Sequence, residues 1–493
     1  MKRSGKRVFA SRLGKCRSAG TNIAIHRGAE NMNTITPDAI QSLKGRMRGR
    51  VIAPDDPEYD QARSIWNAMV DKRPGAIARC TGVADVMQAV SFARDAGLRI
   101  AVRGGGHNIA GNALCDDGLT IDLSSLRSVH VDPDARLAYV EPGATLADVD
   151  HETQAFGLAT SLGINSTTGV AGLTLGGGFG WLTRTLGLAV DNLTAAELVT
   201  ADGHRVQVSA SENPDLFWAI RGGGGNFGVV TQFVFELHPL GPEVLAGLIV
   251  YPFAQAKQLL TRYREYVDTI PDEMAAWVVL RKAPPLPFLP EAVHGQEVVI
   301  FAFMHAGDVE QGKRLIEPLR HFGDAHGEHI GAMPFAAWQQ AFDPLLGPGA
   351  RNYWKSHNFA KLSDGAIDTV IEYAGKLPSP QCEIFIALLG GAANRVAADA
   401  TAYPHRAVKF VMNVHGRWDE PAQDQDCIRW SRAFFKAAEP HAMGGVYSNF
   451  MTAEETDRIA AAYGPNYQRL AQIKRKYDPD NLFSLNQNIK PAA

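Results

Sequence analysis

Apolar residues recur at helical spacing through Val83, Val86, Met87, Val90 and Ala93, and Gly97 closes the run. The pattern predicts an amphipathic helix with a glycine stop. The short apolar runs Ala76–Cys80 and Leu98–Arg103 on either side read as strands. The second opens into Gly104-Gly105-Gly106-His107-Asn108. Further strands are expected around Thr120–Asp122, Ser128–Val131 and Ala138–Glu141, and a helix over Thr145–Phe156 with Gly157 as its stop. Strands at Leu193–Thr200 and Val206–Val208 flank the turn Asp202-Gly203. The run Asn213–Leu237 reads as helix, glycine loop and strand. Pro239 and Gly241-Pro242 then break the pattern and mark a boundary.

Beyond that boundary the texture changes. Helices at Ala254–Val267 and Asp308–Phe322 alternate with strands at Trp277–Leu280, Val298–Met304, Glu383–Leu389 and Val408–Val414. This predicts a second α+β unit built on one sheet. The last stretch reads as helical over Ala453–Tyr477 and extended to Pro491. A chain of 493 residues also exceeds the ~250–300 residues that one hydrophobic core supports.

Composition changes this picture in one respect. Glycine, at 48 residues, is close to ten per cent, above the ~7% norm. Net charge is −3, so no global basic field points to nucleic acid. Residues 1–31 carry +7 and the remainder −10. Residues 1–35 are read as a basic, disordered tail without an apolar signal core. The five cysteines are widely spaced, with no CxxC, which indicates neither a disulfide framework nor a zinc site and fits a reducing cytoplasm. No apolar stretch reaches the ~20 residues of a membrane span.

Twelve of the glycines fall in three clusters: Gly104–Gly106, Gly176–Gly178 with Gly180, and Gly222–Gly225 with Gly228. Each sits near a predicted strand end. Glycine lets bare backbone N–H groups approach a ligand, and a pyrophosphate needs that arrangement. The spacing is not the GxGxxG–helix pattern of a nicotinamide site. His107 stands at the tip of the first loop, and imidazole is nucleophilic enough near neutral pH to attack an electrophilic methyl carbon.

These motifs resemble the berberine-bridge-enzyme-like branch of the vanillyl-alcohol-oxidase superfamily. Arg103-Gly104-Gly105-Gly106-His107-Asn108 is similar to its flavin-attachment motif. Gly169-Val170-Ala171-Gly172 with Leu175-Gly176-Gly177-Gly178-Phe179-Gly180 resembles the second loop, followed by Leu188–Asn192. Asn213–Gly224 resembles the third loop. Tyr447-Ser448-Asn449, Tyr463–Tyr467, Lys476–Pro479 and Asn486-Gln487-Asn488-Ile489 resemble the C-terminal segment.

The resemblance implies an α+β, two-domain fold. A p-cresol-methylhydroxylase-type FAD domain would span residues 36–241, and a substrate domain on an antiparallel sheet residues 242–446. Residues 447–493 would return to the first domain. FAD would be covalently held by His107. Many relatives add a second link from a cysteine, but the matching position here is Asn165, so a single link is expected. That form disfavours a large oligosaccharide substrate. The implied cofactor-binding set is Arg103, Gly104, Gly105, Gly106, His107, Asn108, Gly111, Thr168, Gly169, Gly172, Leu173, Gly176, Gly177, Gly178, Phe179, Gly180, Asp191, Gly228, Val230, Tyr447, Asn486 and Asn488. Thr168 stands where many oxidases carry a small β-branched residue beside the flavin, and Leu173 replaces a histidine of many plant relatives.

The resemblance implies hydride transfer from an alcohol or amine to flavin N5, with a protein base taking the proton. Tyr447 is the first candidate, provided a neighbour lowers its pKa. His415 is the second, on a strand face shared by alternation with Lys409 and Asn413. Glu383 is the third. Thr401–Arg406 reads as structural. The leading expectation is an oxidase acting on a small-molecule substrate with O2, without nucleic-acid or membrane partners. The alternatives are a dehydrogenase passing electrons to a quinone or protein, and a ligand-binding or net non-redox cyclising flavoprotein.

Overall fold

The computed structural model describes residues 35–493. The basic segment read as a tail lies outside the described residues except for Ile35. Three sheets carry the architecture. The first has the spatial order Arg50–Ile52, Ala76–Arg79, Leu119–Asp122, Ile100–Arg103. Its last three strands are parallel, and helix Val83–Asp95 makes the crossover that a parallel pair requires. Val86, Val90 and Ala93 of the predicted stripe are fully buried on that helix together with Ala89, while Val83 and Met87 are half-buried at its edge.

The second sheet is antiparallel, in the order Val129–Asp132, Leu137–Val140, Val229–Glu236, Leu193–Val199, Arg205–Ser209. The third holds seven antiparallel strands: Gly327–Pro334, Glu243–Pro252, Glu297–His305, Met274–Lys282, Glu383–Leu388, Phe410–Trp418 and Arg351–Phe359. The chain is thus α+β, as expected.

The C-terminal segment packs against the second sheet. Leu470, Ile489 and Tyr463 share a core with Val230 and Phe233. The fully buried Lys474 ammonium bonds Asp478 at 2.6 Å, the Asn226 carbonyl at 2.6 Å and the Phe483 carbonyl at 3.0 Å. The expected single helix over Ala453–Tyr477 is instead two, Ile459–Tyr463 and Tyr467–Tyr477. Gly464-Pro465 breaks it, with Gly464 at φ +48°.

Strand Arg351–Phe359 was not expected, because its sequence lacks apolar alternation. Asn352, Lys355, Ser356, His357 and Asn358 are all buried there. Lys355 and His357 have specific partners: Lys355 Nζ lies 2.9 Å from Glu454, and His357 Nε2 lies 2.8 Å from the Phe435 carbonyl, whereas the Ser356 hydroxyl and the Asn358 amide have none. No helix among the described residues is long and apolar enough to cross a membrane.

Candidate active site

A cavity of about 310 Å³ runs between the glycine loops and the seven-stranded sheet. Strand Ile100–Arg103 delivers Gly104, Gly105, Gly106, His107 and Asn108 to its wall. Gly106 is at φ +72°, a conformation that turns the chain sharply at little cost only for glycine. From the second loop Thr168, Gly169, Gly172, Leu173 and Phe179 join the wall. From the third come Gly224, Gly225, Gly228 and Val230, and from the C-terminal segment Asn486 and Gln487. A Cβ on Gly105 would lie 2.5 Å from the Gly169 backbone, so the first two loops touch only because both residues are glycine.

Several expected cofactor residues stand behind this wall. Gly176, Gly177, Gly178 and Gly180 do not line the cavity. They are packing glycines, pressed against Asn449, the Tyr403 ring, Ala189 and the Leu162 carbonyl respectively. Arg103 turns away and donates to the Ala62 carbonyl at 2.5 Å. Gly111 abuts Val70. Asp191 is engaged by Arg406 through both oxygens, at 2.7 and 2.8 Å, and Arg406 also bonds Thr401. That pairing explains Asp191 structurally and agrees with the structural reading of Thr401–Arg406. Asn488 also lies off the cavity.

His107 is stacked on Trp66, with ring centroids 4.8 Å apart and planes at 22°. Burial, with the nearby Arg417 charge, holds its pKa down at about 4, so the ring is neutral near pH 7. Its Nε2 lies 3.1 Å from Thr167 Oγ1, which lies 2.8 Å from Asn165 Oδ1.

The sheet supplies the facing wall. Strands Glu383–Leu388 and Phe410–Trp418 pair with Glu383 opposite His415 and Phe385 opposite Asn413, and all four side chains line the cavity. Glu383 Oε1 lies 3.0 Å from His415 Nδ1, and Arg281 Nη1 donates to Glu383 Oε2 at 2.7 Å. Burial alone would raise the Glu383 carboxyl. Arg281, His415 and Arg417 outweigh it and hold the pKa at about 2. Burial pushes His415 below the ordinary histidine value, against the opposing pull of Glu383. The Glu383 carboxylate accepts only, so the ring proton sits on Nδ1 and Nε2 keeps its lone pair. Asn352 Oδ1 is 3.4 Å from Nε2, too far for a strong bond. Lys409 leaves this group and pairs with Asp268.

Tyr447 lines the same cavity. Its hydroxyl accepts from the Gly178 N–H at 3.2 Å and from Asn449 Nδ2 at 3.0 Å. The expected lowering of its pKa does not occur. Burial outweighs those two donors and pushes the phenol up to about 12. Sequence reading also missed Trp66, Trp354 and Phe450, which wall the cavity. Phe385 was accessible from alternation with Glu383, whereas Arg281 reaches Glu383 through a strand register that no local pattern reveals.

These residues fit a flavin dinucleotide. Backbone is bare along three loops, and a Cβ on the cavity-lining Gly172 would enter open space. Three buried polar atoms of wall residues, Trp354 Nε1, Asn413 Oδ1 and Gln487 Nε2, have no partner in the protein. Residues 74–209 match the family model described as "FAD binding domain", and residues 446–490 match "Berberine and berberine like". An FAD-linked oxidoreductase of Dictyostelium discoideum is 35% identical over 455 residues, covering 90% of this chain and 95% of that protein. The chain belongs to the berberine-bridge-enzyme-like family of FAD-linked oxidoreductases.

As a member of this family it is an enzyme, and its cofactor is FAD. Among similar family members is (R)-6-hydroxynicotine oxidase of Paenarthrobacter nicotinovorans, 32% identical over 468 residues, covering 90% of this chain and 97% of that one. The crystal structure of 6-hydroxy-D-nicotine oxidase from Arthrobacter nicotinovorans superposes with a TM-score of 0.80 at 30% identity, covering 90% and 98% of the two chains.

Proposed function

We propose that this enzyme is an oxidase of a small, planar, mostly apolar amine or alcohol, with FAD attached through His107 alone. The observation that carries the reading is that His107 and the His415–Glu383 pair line one cavity whose remaining walls include Trp66, Trp354, Phe385 and Phe450. Flat aromatic walls favour a flat substrate, and the orphaned Asn413 Oδ1 provides an acceptor to orient one polar donor. When bound, FAD supplies the two-electron acceptor, and dioxygen takes those electrons on to hydrogen peroxide.

The protein's own part is proton management and positioning. His415 Nε2 accepts the proton that the substrate nitrogen or oxygen loses. Glu383 holds the ring through Nδ1 and stabilises the imidazolium that forms. Arg281 keeps Glu383 ionised. Trp354 stands edge-on to His415 at 4.6 Å and shields it from water. Tyr447, protonated near pH 7, is a hydrogen-bond donor in this scheme rather than the base. Asn165 cannot form a thioether, which supports a single flavin link.

A peroxide-release screen over small aromatic amines and alcohols, read alongside the flavin spectrum, tests the reading. Substrate-dependent bleaching with stoichiometric peroxide is expected. Bleaching that only a quinone reverses would make the enzyme a dehydrogenase instead.

A further inference from the structure

The turn that carries Asn165 and Thr167 does more than leave out a cysteine. The backbone N–H of Thr167 lies 3.1 Å from Asn165 Oδ1. An N–H can only donate, so this contact fixes which end of the Asn165 amide faces Thr167. The Thr167 hydroxyl lies 2.8 Å from the same Oδ1, and its one proton is therefore committed to Asn165. What remains on Thr167 Oγ1 toward His107 is a lone pair. The 3.1 Å contact to His107 Nε2 must then be donated by the imidazole.

From this chain of donors we infer that Asn165 and Thr167 are positioning residues for cofactor attachment: they hold neutral His107 as its Nε2–H tautomer and leave Nδ1 as the attacking nitrogen. The inference rests on the attachment proposed above. The turn itself is anchored. Its Thr168 N–H closes on the Asn165 carbonyl at 3.0 Å, and Asp343 receives the Ser166 N–H at 3.1 Å and also the Ser166 hydroxyl. Three residues beyond Asp343, the Leu346 carbonyl accepts from Trp66 Nε1 at 2.9 Å, so the stacked platform of His107 is held from the same place. An imidazole whose second nitrogen has a fixed partner keeps one tautomer and one orientation.

Attachment forms the bond from Nδ1 to the flavin 8α carbon as a C–H bond of that methyl breaks. The methyl proton and then the Nε2 proton of the resulting imidazolium leave to solvent, the electron pair remains on the flavin as its reduced form, and dioxygen takes up that pair with two protons as hydrogen peroxide. The position at which many relatives carry a second linking cysteine would thus serve the first link here.

The test reads attachment rather than turnover. Each chain is purified with its flavin and acid-precipitated, and the attached share of total flavin is measured. The linked nitrogen is then identified in the flavin peptide by 15N NMR. The wild type and T167S, which keeps a hydroxyl, are expected to hold their flavin through Nδ1. Asn165→Asp, which keeps the acceptor, should do the same. In T167V and N165L the attached share should fall by roughly tenfold, or the flavin should move in part to Nε2. Circular dichroism and total flavin content show whether the variants fold. If T167V misfolds, the wild-type linkage and the T167S and Asn165→Asp results still decide. A wild-type link through Nε2, or T167V attaching fully through Nδ1, overturns the inference while leaving the attachment itself standing. A colourless wild-type precipitate overturns both.

Discussion

Glu383 Oε1 sits 3.0 Å from His415 Nδ1, with both side chains buried and directly opposed across adjacent strands. The pair leaves His415 with one acceptor nitrogen and a fixed ring. His415→Gln should slow substrate-driven flavin reduction by roughly 10²-fold or more. Stopped-flow bleaching under anaerobic conditions measures it. A rate unchanged by this substitution would remove His415 from the chemistry.

The same pair sets the acid side of the pH profile. Burial places the folded pKa of His415 below the ordinary histidine value of 6.5. The base form therefore dominates at neutral pH, and reduction should weaken only as pH falls below about 6.5. Glu383, held at about 2, stays ionised throughout that range and contributes no limb. Glu383→Gln should depress the rate across the whole profile. The limb itself should vanish in His415→Gln.

Tyr447 was the leading base in the sequence; in the structure its hydroxyl accepts two hydrogen bonds and burial keeps it protonated. Tyr447→Phe removes an acceptor from the Gly178 N–H and from Asn449. The expected result is a stability loss of about 1–3 kcal/mol, the penalty of a buried unpaired donor. Flavin reduction should fall much less than in His415→Gln. Thermal melts and anaerobic bleaching of the two variants side by side give the comparison, and a larger rate loss in Tyr447→Phe would restore the phenol as base.

Gly172 and Gly105 should respond oppositely to alanine. A Cβ at Gly172 meets nothing within 4 Å and projects into cavity space, so Gly172→Ala should fold normally and lose flavin occupancy. A Cβ at Gly105 would collide with Gly169 at 2.5 Å, so Gly105→Ala should melt lower as well. Melting temperature against the flavin-to-protein absorbance ratio separates the two effects.

Asp150, buried with Gln339 Nε2 at 3.1 Å as its partner, has its carboxyl pushed up to about 7 by burial. A carboxyl with a folded pKa above its unfolded one favours folding when protonated. Stability should therefore be full below the ordinary aspartate value of 3.8 and decline as pH rises toward about 7. Asp150→Asn cannot ionise, and should stabilise the protein at pH 8 by up to roughly 4 kcal/mol while changing little at pH 4. Melts at the two pH values check this. Equal shifts at both would show that the carboxyl does not titrate in the fold.

Wherever the period of the apolar residues matched the burial, the elements were legible. Helix Val83–Asp95 and the glycine-stopped helix Leu146–Gln154 are of this kind. The strand Arg351–Phe359 was not, because its buried face is polar and depends on Glu454, Phe435 and Asn67 from distant parts of the chain. The site divides in the same way. His107, Thr168 and the loop glycines stand in contiguous motifs. Asp191 carried a familiar spacing but is claimed by Arg406, 215 positions away. Arg281 and Trp354 come into place only through strand pairing, which no window of sequence contains.

Lys474 fastens the third glycine loop to the C-terminal segment by holding the Asn226 and Phe483 carbonyls at once. The loop is therefore braced by residues translated after the strands and the other two glycine loops of the cavity wall. A chain cut short before Lys474 would lack this brace, and with it Asn486 and Gln487 of the cavity wall.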